Sequence, residues 1–143
     1  MSVYRLHYFN WRGRAELARY LFAIAEQEYE DVRFDRVTEW PLIKPTMPFG
    51  QVPVLEIKEG DKSTFISQSI AIARFLARKF KLDGNSELEK AQVDMVAEQL
   101  TDVLNELVKA HFETGIFKIK KCLIILLFQN LFGFRGIKKK GIK

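Results

Sequence analysis

The sequence predicts an α/β domain with the element order βαβαββα, followed by an incomplete all-α domain. Three observations carry this expectation. Short apolar runs alternate with segments of helical periodicity across residues 1–80, two of the runs are joined by a Gly-containing turn, and a long amphipathic stripe follows a polar linker. With 143 residues, 48% of them hydrophobic and 29% charged, the chain has globular composition and room for a small domain and part of a second.

Residues 3–8 form the first strand-like run. After Asn10-Trp11-Arg12-Gly13, the side chains Leu17, Tyr20, Leu21 and Ile24 recur at helical spacing, so a helix with that stripe buried is expected. Residues 29–34 suit a second strand, and residues 39–44 a short helical turn with Pro41 in its first turn. Two βα steps in succession favour a parallel pair of strands. Residues 52–57 and 63–67, with Glu59-Gly60-Asp61-Lys62 between them, read as a hairpin. The helix over residues 69–80 has Ile70, Ala73, Phe75, Leu76 and Phe80 available to its buried side. Residues 81–86 form a linker, in which Ser86 and Glu89 make a capping box for a helix over 87–113 about 40 Å long at 1.5 Å per residue.

Charge is unevenly distributed. Residues 1–113 carry a net charge of −3 and residues 114–143 carry +8, with no acidic residue in the second stretch. The high isoelectric point therefore belongs to the tail, and the body offers no basic stripe for nucleic-acid phosphates. No basic region followed by an apolar core opens the chain, and Cys122 is its single cysteine. The expectation is a cytoplasmic protein without disulfides.

Several local features suit chemistry. Tyr8 closes the first strand, beyond whose carboxyl end an open α/β sheet gathers its ligands. A phenol there can donate a hydrogen bond to an anion, or serve as an ordinary strand-end aromatic. Pro53 begins a strand, where a cis Val52–Pro53 bond would leave the Val52 backbone able to pair with an extended peptide, although base rates oppose cis. Ser67-Gln68-Ser69 surrounds a helix N-terminus, which can bind a carboxylate, be capped by a serine, or both. Asp94, Glu98, Asp102 and Glu106 recur every four residues and by themselves read as a solvated face. Arg14 by itself reads as a surface residue. His7 and His111 have no metal-ligand spacing around them, so no metal is expected.

Taken together, residues 8–16, Trp40 through Lys44, residues 48–55, residues 67–74 and the helix through Asp102 resemble the cytosolic glutathione transferases, in particular the sigma class with its nematode-like members. The resemblance covers residues 1 to about 113. It implies a thioredoxin-like domain over residues 1–80 that takes glutathione as co-substrate. It further implies that Tyr8 donates a hydrogen bond to the glutathione sulfur and that Arg14 favours the anionic form. Trp40 and Lys44 would hold the glycine end, Gln51 and Val52 the peptide backbone beside a cis Pro53, and Gln68 and Ser69 the γ-glutamyl carboxylate. Asp102 would reach the γ-glutamyl amine bound in the other subunit of a homodimer. Phe49 is placed either across that interface or in the core. The reaction implied is conjugation of glutathione to small hydrophobic electrophiles, as in detoxification, with isomerisation of prostaglandin H2 to prostaglandin D2 ranked below it.

The pattern departs from the family after Glu113. Ile, Phe, Lys and Asn, residues with A/T-rich codons, make up 18 of the last 30 residues. Residues 114–143 therefore read as an atypical basic and apolar tail, translated from intron or frame-shifted sequence. The apolar run over 122–128 falls far below the ~20 residues needed to span a bilayer, so membrane contact through the tail is not expected. A thiol-disulfide oxidoreductase would need a cysteine after the first strand, and residues 9–13 have none. A non-enzymatic ligand-binding relative, or a truncated and inactive one, stands as the alternative.

Overall fold

The computed structural model describes residues 2–112, so the expectations for residues 114–143 and for Cys122 lie outside the described residues. The chain divides into two compact units, Met1–Glu98 and Gln99–Lys143. The first unit begins with β1 (Val3–Phe9), α1 (Glu16–Ile24), β2 (Glu30–Phe34) and α2 (Trp40–Ile43). It continues through β3 (Val54–Glu59), β4 (Lys62–Ser67) and α3 (Ser69–Lys79), reproducing the order read from the sequence. The helix α4 (Glu87–Phe112) starts in this unit and runs into the second.

The sheet is mixed, in the order β2-β1-β3-β4. β1 and β2 run parallel with Arg5 opposite Glu30 and Phe9 opposite Phe34, a pairing that requires the α1 crossover. β3 lies antiparallel to β1, with Leu6 opposite Leu55, and β4 completes the hairpin through Gly60 at φ +60°. The ladder of β3 begins at Val54, two residues later than the apolar run suggests, because Pro53 has no N–H to contribute.

Alternation along β1 sends Tyr4, Leu6 and Tyr8 to one face. There they join Leu55 and Ile57 of β3, Phe22 of α1, and Ile72 and Leu76 of α3. Phe22 is fully buried and stacks on Tyr29 with ring centroids 4.2 Å apart. Burying a side chain of that size contributes roughly 2–3 kcal/mol.

The buried stripe of α1 differs from the one expected. Ala18, Arg19 and Phe22 face inward, whereas Tyr20 and Ile24 are exposed, and Leu17 and Leu21 are half-buried. Ala15, Ala18 and Phe22 belong to the buried core cluster together with residues of β1, β3 and α3, so the packing of these elements, and not the hydrophobicity of a stripe alone, selects the inward face. In α3 the buried residues are Ile72, Ala73, Leu76 and Ala77, with Ile70 and Phe75 at the margin.

The expected capping box closes the start of α4. The Glu89 N–H donates to Ser86 Oγ at 3.2 Å, and Glu89 Oε2 accepts from the N–H groups of Ser86 and Asn85 at 3.2 and 2.6 Å. Two members of the acidic row are not simply solvated. Arg74 of α3 donates from Nε to Asp94 at 2.9 Å and from Nη2 to Glu98 at 2.7 Å, tying the first turns of α4 to α3. Asp102 and Glu106 are exposed on the second unit.

On the opposite sheet face, Phe9 and Phe34 receive Trp40 at the start of α2. The Trp40 ring lies parallel to Phe34 at 5.7 Å and edge-on to Phe9 at 5.4 Å. Further along that face, His7 Nε2 is 3.1 Å from Glu56 Oε2, while Ser63 Oγ donates to Glu56 Oε1 at 2.8 Å.

Candidate functional site

The chain leaves β1 through a tight turn. The Trp11 N–H donates to the Phe9 carbonyl at 2.7 Å, and Gly13, at φ +49°, opens the single 3-10 turn Gly13–Ala15 ahead of α1. Gly13 is needed here for two reasons. Its backbone lies in the left-handed region, and a Cβ at this position would stand 2.6 Å from the Tyr8 hydroxyl oxygen. Tyr8 is 6% exposed, and its hydroxyl accepts a hydrogen bond from the Arg14 backbone N–H at 3.1 Å. That bond occupies a Tyr8 lone pair and leaves the hydroxyl proton for another acceptor.

Behind this turn lies Arg19, a residue that the sequence reading passed over. Its Nη1 donates to the carbonyls of Trp11 and Arg12 at 3.0 and 3.2 Å and to Glu16 at 2.9 Å, while Nε donates to Asp31 at 3.1 Å. Burial disfavours its charge, but the bonds to Glu16 and Asp31 outweigh that and hold its pKa above the usual arginine value. No periodicity announces such a residue, because an arginine within a helix reads as surface.

The segment after β2 is shaped by Asp35. Its Oδ1 accepts from the Val37 and Thr38 N–H groups at 2.8 and 2.7 Å, and these bonds, Thr38 first, hold its carboxyl below the usual range. Its carbonyl accepts the Trp40 N–H at 2.9 Å, which sets the start of α2. One turn later comes Lys44, followed by Phe49 at φ +57° and Gly50 at φ +56°. Phe49 is 79% exposed, so its placement in the core is excluded.

These segments converge on a pocket of about 490 Å³ at the carboxyl ends of the parallel strands. Arg14, Trp40, Lys44, Gln51, Val52, Pro53, Gln68 and Ser69 line it, together with Phe9, Arg36 and Gly50. The Val52–Pro53 bond is cis. At one edge the N-terminus of α3 is preceded by Gln68 at φ +73°, and no side chain caps it. Its backbone N–H groups and the positive end of its dipole therefore favour an anion. Arg14, Arg36 and Lys44 add positive charge, and no carboxylate occurs among the described residues that line the pocket. Such a pocket suits an anionic ligand.

The sequence reading did not include Arg36, whose guanidinium stands 5.6 Å from the Trp11 ring centre and 6.0 Å from that of Phe9. Tyr8 is not among the lining residues; it lies buried beside the pocket, its hydroxyl bonded to the backbone N–H of Arg14, which does line it. Asp102 belongs to the second unit and is exposed there. Among the described residues no group of three His, Cys, Asp or Glu side chains is placed to hold a metal ion.

Fold and site together define a thioredoxin-like protein with a cationic pocket at the carboxyl ends of its parallel strands. The chain belongs to the glutathione S-transferase family, whose N-terminal domain model matches residues 4–78. It is 50% identical over 105 residues to the hematopoietic prostaglandin D synthase of Rattus norvegicus, a match covering 73% of this chain and 50% of that protein. It is 41% identical over 140 residues to probable glutathione S-transferase 7 of Caenorhabditis elegans, covering 94% of this chain and 66% of the relative. That second match extends past Glu113 into the tail. Among solved structures, a Nu-class glutathione transferase from Haemonchus contortus superposes with a TM-score of 0.71 at 46% identity, covering 83% of this chain and 58% of the other. The chain spans about half to two thirds of the length of these relatives.

Proposed function

We propose that this chain is a glutathione transferase that conjugates reduced glutathione to small hydrophobic electrophiles. The observation that carries the reading is the cationic pocket beside the Tyr8–Arg14 hydrogen bond. A thiol of pKa about 8.5 is only a few per cent ionised at neutral pH, so the site must favour the thiolate. Tyr8 donates its remaining proton to the sulfur as a hydrogen bond, and the positive charge of Arg14 supports the anion. The thiolate then attacks an electrophilic carbon, forming a C–S bond as the leaving group departs with its electron pair.

In this reading Trp40 and Lys44 hold the glycine end of glutathione. Gln51 and Val52 pair with its backbone beside Pro53, and Gln68 and Ser69 hold the γ-glutamyl carboxylate at the start of α3. Asp102 of the partner subunit takes the γ-glutamyl amine in a homodimer, with the exposed Phe49 packing across the interface. Residues 1–80 form the glutathione-binding domain, 81–86 the linker and 87–113 the first helix of the all-α domain. The chain is of sigma type, acts in the cytoplasm in detoxification and uses no metal. No helix among the described residues is long and apolar enough to cross a membrane.

Two other readings stand beside it. The identity to the rat synthase favours isomerisation of prostaglandin H2 to prostaglandin D2, ranked below conjugation. A non-enzymatic glutathione-binding relative is the other alternative, since the fold by itself does not confer turnover. Retention of the full chain on immobilised glutathione, followed by turnover of a chromogenic electrophile by wild type and Tyr8→Phe, separates them. Retention with a Tyr8-dependent rate supports the transferase. Retention without such a rate supports the non-enzymatic reading, and failure to bind glutathione rejects both.

A further inference from the structure

We propose that Arg19 is a positioning residue that holds the Tyr8 hydroxyl in its working geometry by clamping the turn between β1 and α1. The inference rests on the transferase reading above for its catalytic consequence. Its structural content stands separately. Arg19 is 8% exposed on a short helix, and its buried charge is held there by ion pairs and hydrogen bonds whose partners show what it fixes in place.

Nη1 donates to two consecutive carbonyls, Trp11 at 3.0 Å and Arg12 at 3.2 Å, which immediately precede Gly13 and the Arg14 whose N–H donates to the Tyr8 hydroxyl. The opposite edge is anchored to Asp31 of β2, by Nε to Oδ2 at 3.1 Å and by a longer Nη2 contact to Oδ1 at 3.4 Å. The guanidinium carbon also lies 5.9 Å from the centre of the Tyr8 ring. One planar fork thus connects β2, the turn and the phenol, a geometry that the point charge of lysine does not reproduce. Moving the turn would move the Arg14 N–H, and with it the direction in which Tyr8 offers its proton.

The test uses the full 143-residue chain with Arg19→Met, which keeps an apolar stem, Arg19→Lys, Tyr8→Phe and the Arg19→Met/Tyr8→Phe double variant. Arg19→Met is expected to lower kcat about tenfold while changing the KM for glutathione less than about twofold, and to raise the pH at which bound thiol ionises. Arg19→Lys should lie between it and wild type. The double variant should be no slower than Tyr8→Phe alone, since both changes act through one hydroxyl. Hydrogen exchange supplies a readout independent of glutathione. Protection of the Arg14 amide should fall about tenfold in Arg19→Met while that of the core Leu6 amide stays unchanged. Unchanged Arg14 protection, or additive losses in the double variant, overturns the proposal. If Arg19→Met does not fold, Arg19→Lys is read by the same criteria. If wild type does not turn over, the transferase reading fails while Arg14 protection still decides the positioning.

Discussion

The Tyr8 hydroxyl accepts the backbone N–H of Arg14 at 3.1 Å, joining the end of β1 to the turn that begins the next helix. The bond fixes one side of the oxygen and leaves the proton to be directed at a ligand. Tyr8→Phe should preserve glutathione retention and lower kcat about 10²-fold, the effect of removing a donor aimed at developing or stabilised negative charge. Steady-state kinetics with a chromogenic electrophile measures it, and a rate equal to wild type would remove Tyr8 from the mechanism.

Gly13 supports the same relationship by its lack of a side chain. Gly13→Ala would place a methyl 2.6 Å from Tyr8 Oη on a backbone at φ +49°. The left-handed conformation alone costs about 1–2 kcal/mol for an L-residue with a side chain, and displacement of the phenol adds to it. Urea denaturation should show a loss of at least that size, with turnover reduced in the protein that remains folded.

The Glu56 carboxyl gives an acid-sensitive contribution to stability. The Ser63 hydroxyl, then His7 and Arg5, hold it below the usual glutamate range against the opposing effect of burial. A depressed folded-state pKa means that the stabilisation is present above the unfolded value, about 4.3, and is lost as pH falls through the lower folded value. Denaturation midpoints followed from pH ~6 to pH ~3 should drop less steeply for Glu56→Gln than for wild type. Equal slopes would mean that the carboxylate makes no such contribution.

Arg74 presents a contrasting case, because its bonds to Asp94 and Glu98 are at 2.9 and 2.7 Å but lie near solvent. Arg74→Met should cost less than about 1 kcal/mol, and the difference should shrink in molar salt. A pair of denaturation curves at low and high ionic strength checks this.

Phe22 has no such screening. It is fully buried and in ring contact with Tyr4, Tyr29 and Phe80. Phe22→Ala should destabilise the first unit by about 3–5 kcal/mol through lost burial and the cavity left behind. Chemical denaturation monitored by tryptophan fluorescence would report it.

Much of this was legible because it is encoded in neighbouring residues. A short strand-like run located β1, Gly60 located the hairpin turn, and Ser86 with Glu89 located the start of α4. The edge of the pocket at Gln68 and Ser69 was equally visible, since a helix N-terminus follows from where periodicity begins. The buried face of α1 was not. Leu17, Tyr20, Leu21 and Ile24 make the more apolar stripe, yet Ala15, Ala18 and Phe22 face the sheet.

By itself, then, the sequence determined the order of elements, their caps and turns, and the residue types at each segment that borders the pocket. Local hydrogen bonding and periodicity act within a few residues and need no knowledge of the partner surface. Tertiary structure decided which stripe of α1 lies inside, which carbonyls Arg19 would clamp, and how closely Gly13 approaches Tyr8. Those outcomes depend on how elements separated in the sequence pack together once the parallel crossover is made. Side chains from several elements share one close-packed core, and which of them enter it depends on their partners more than on the hydrophobicity of one stripe.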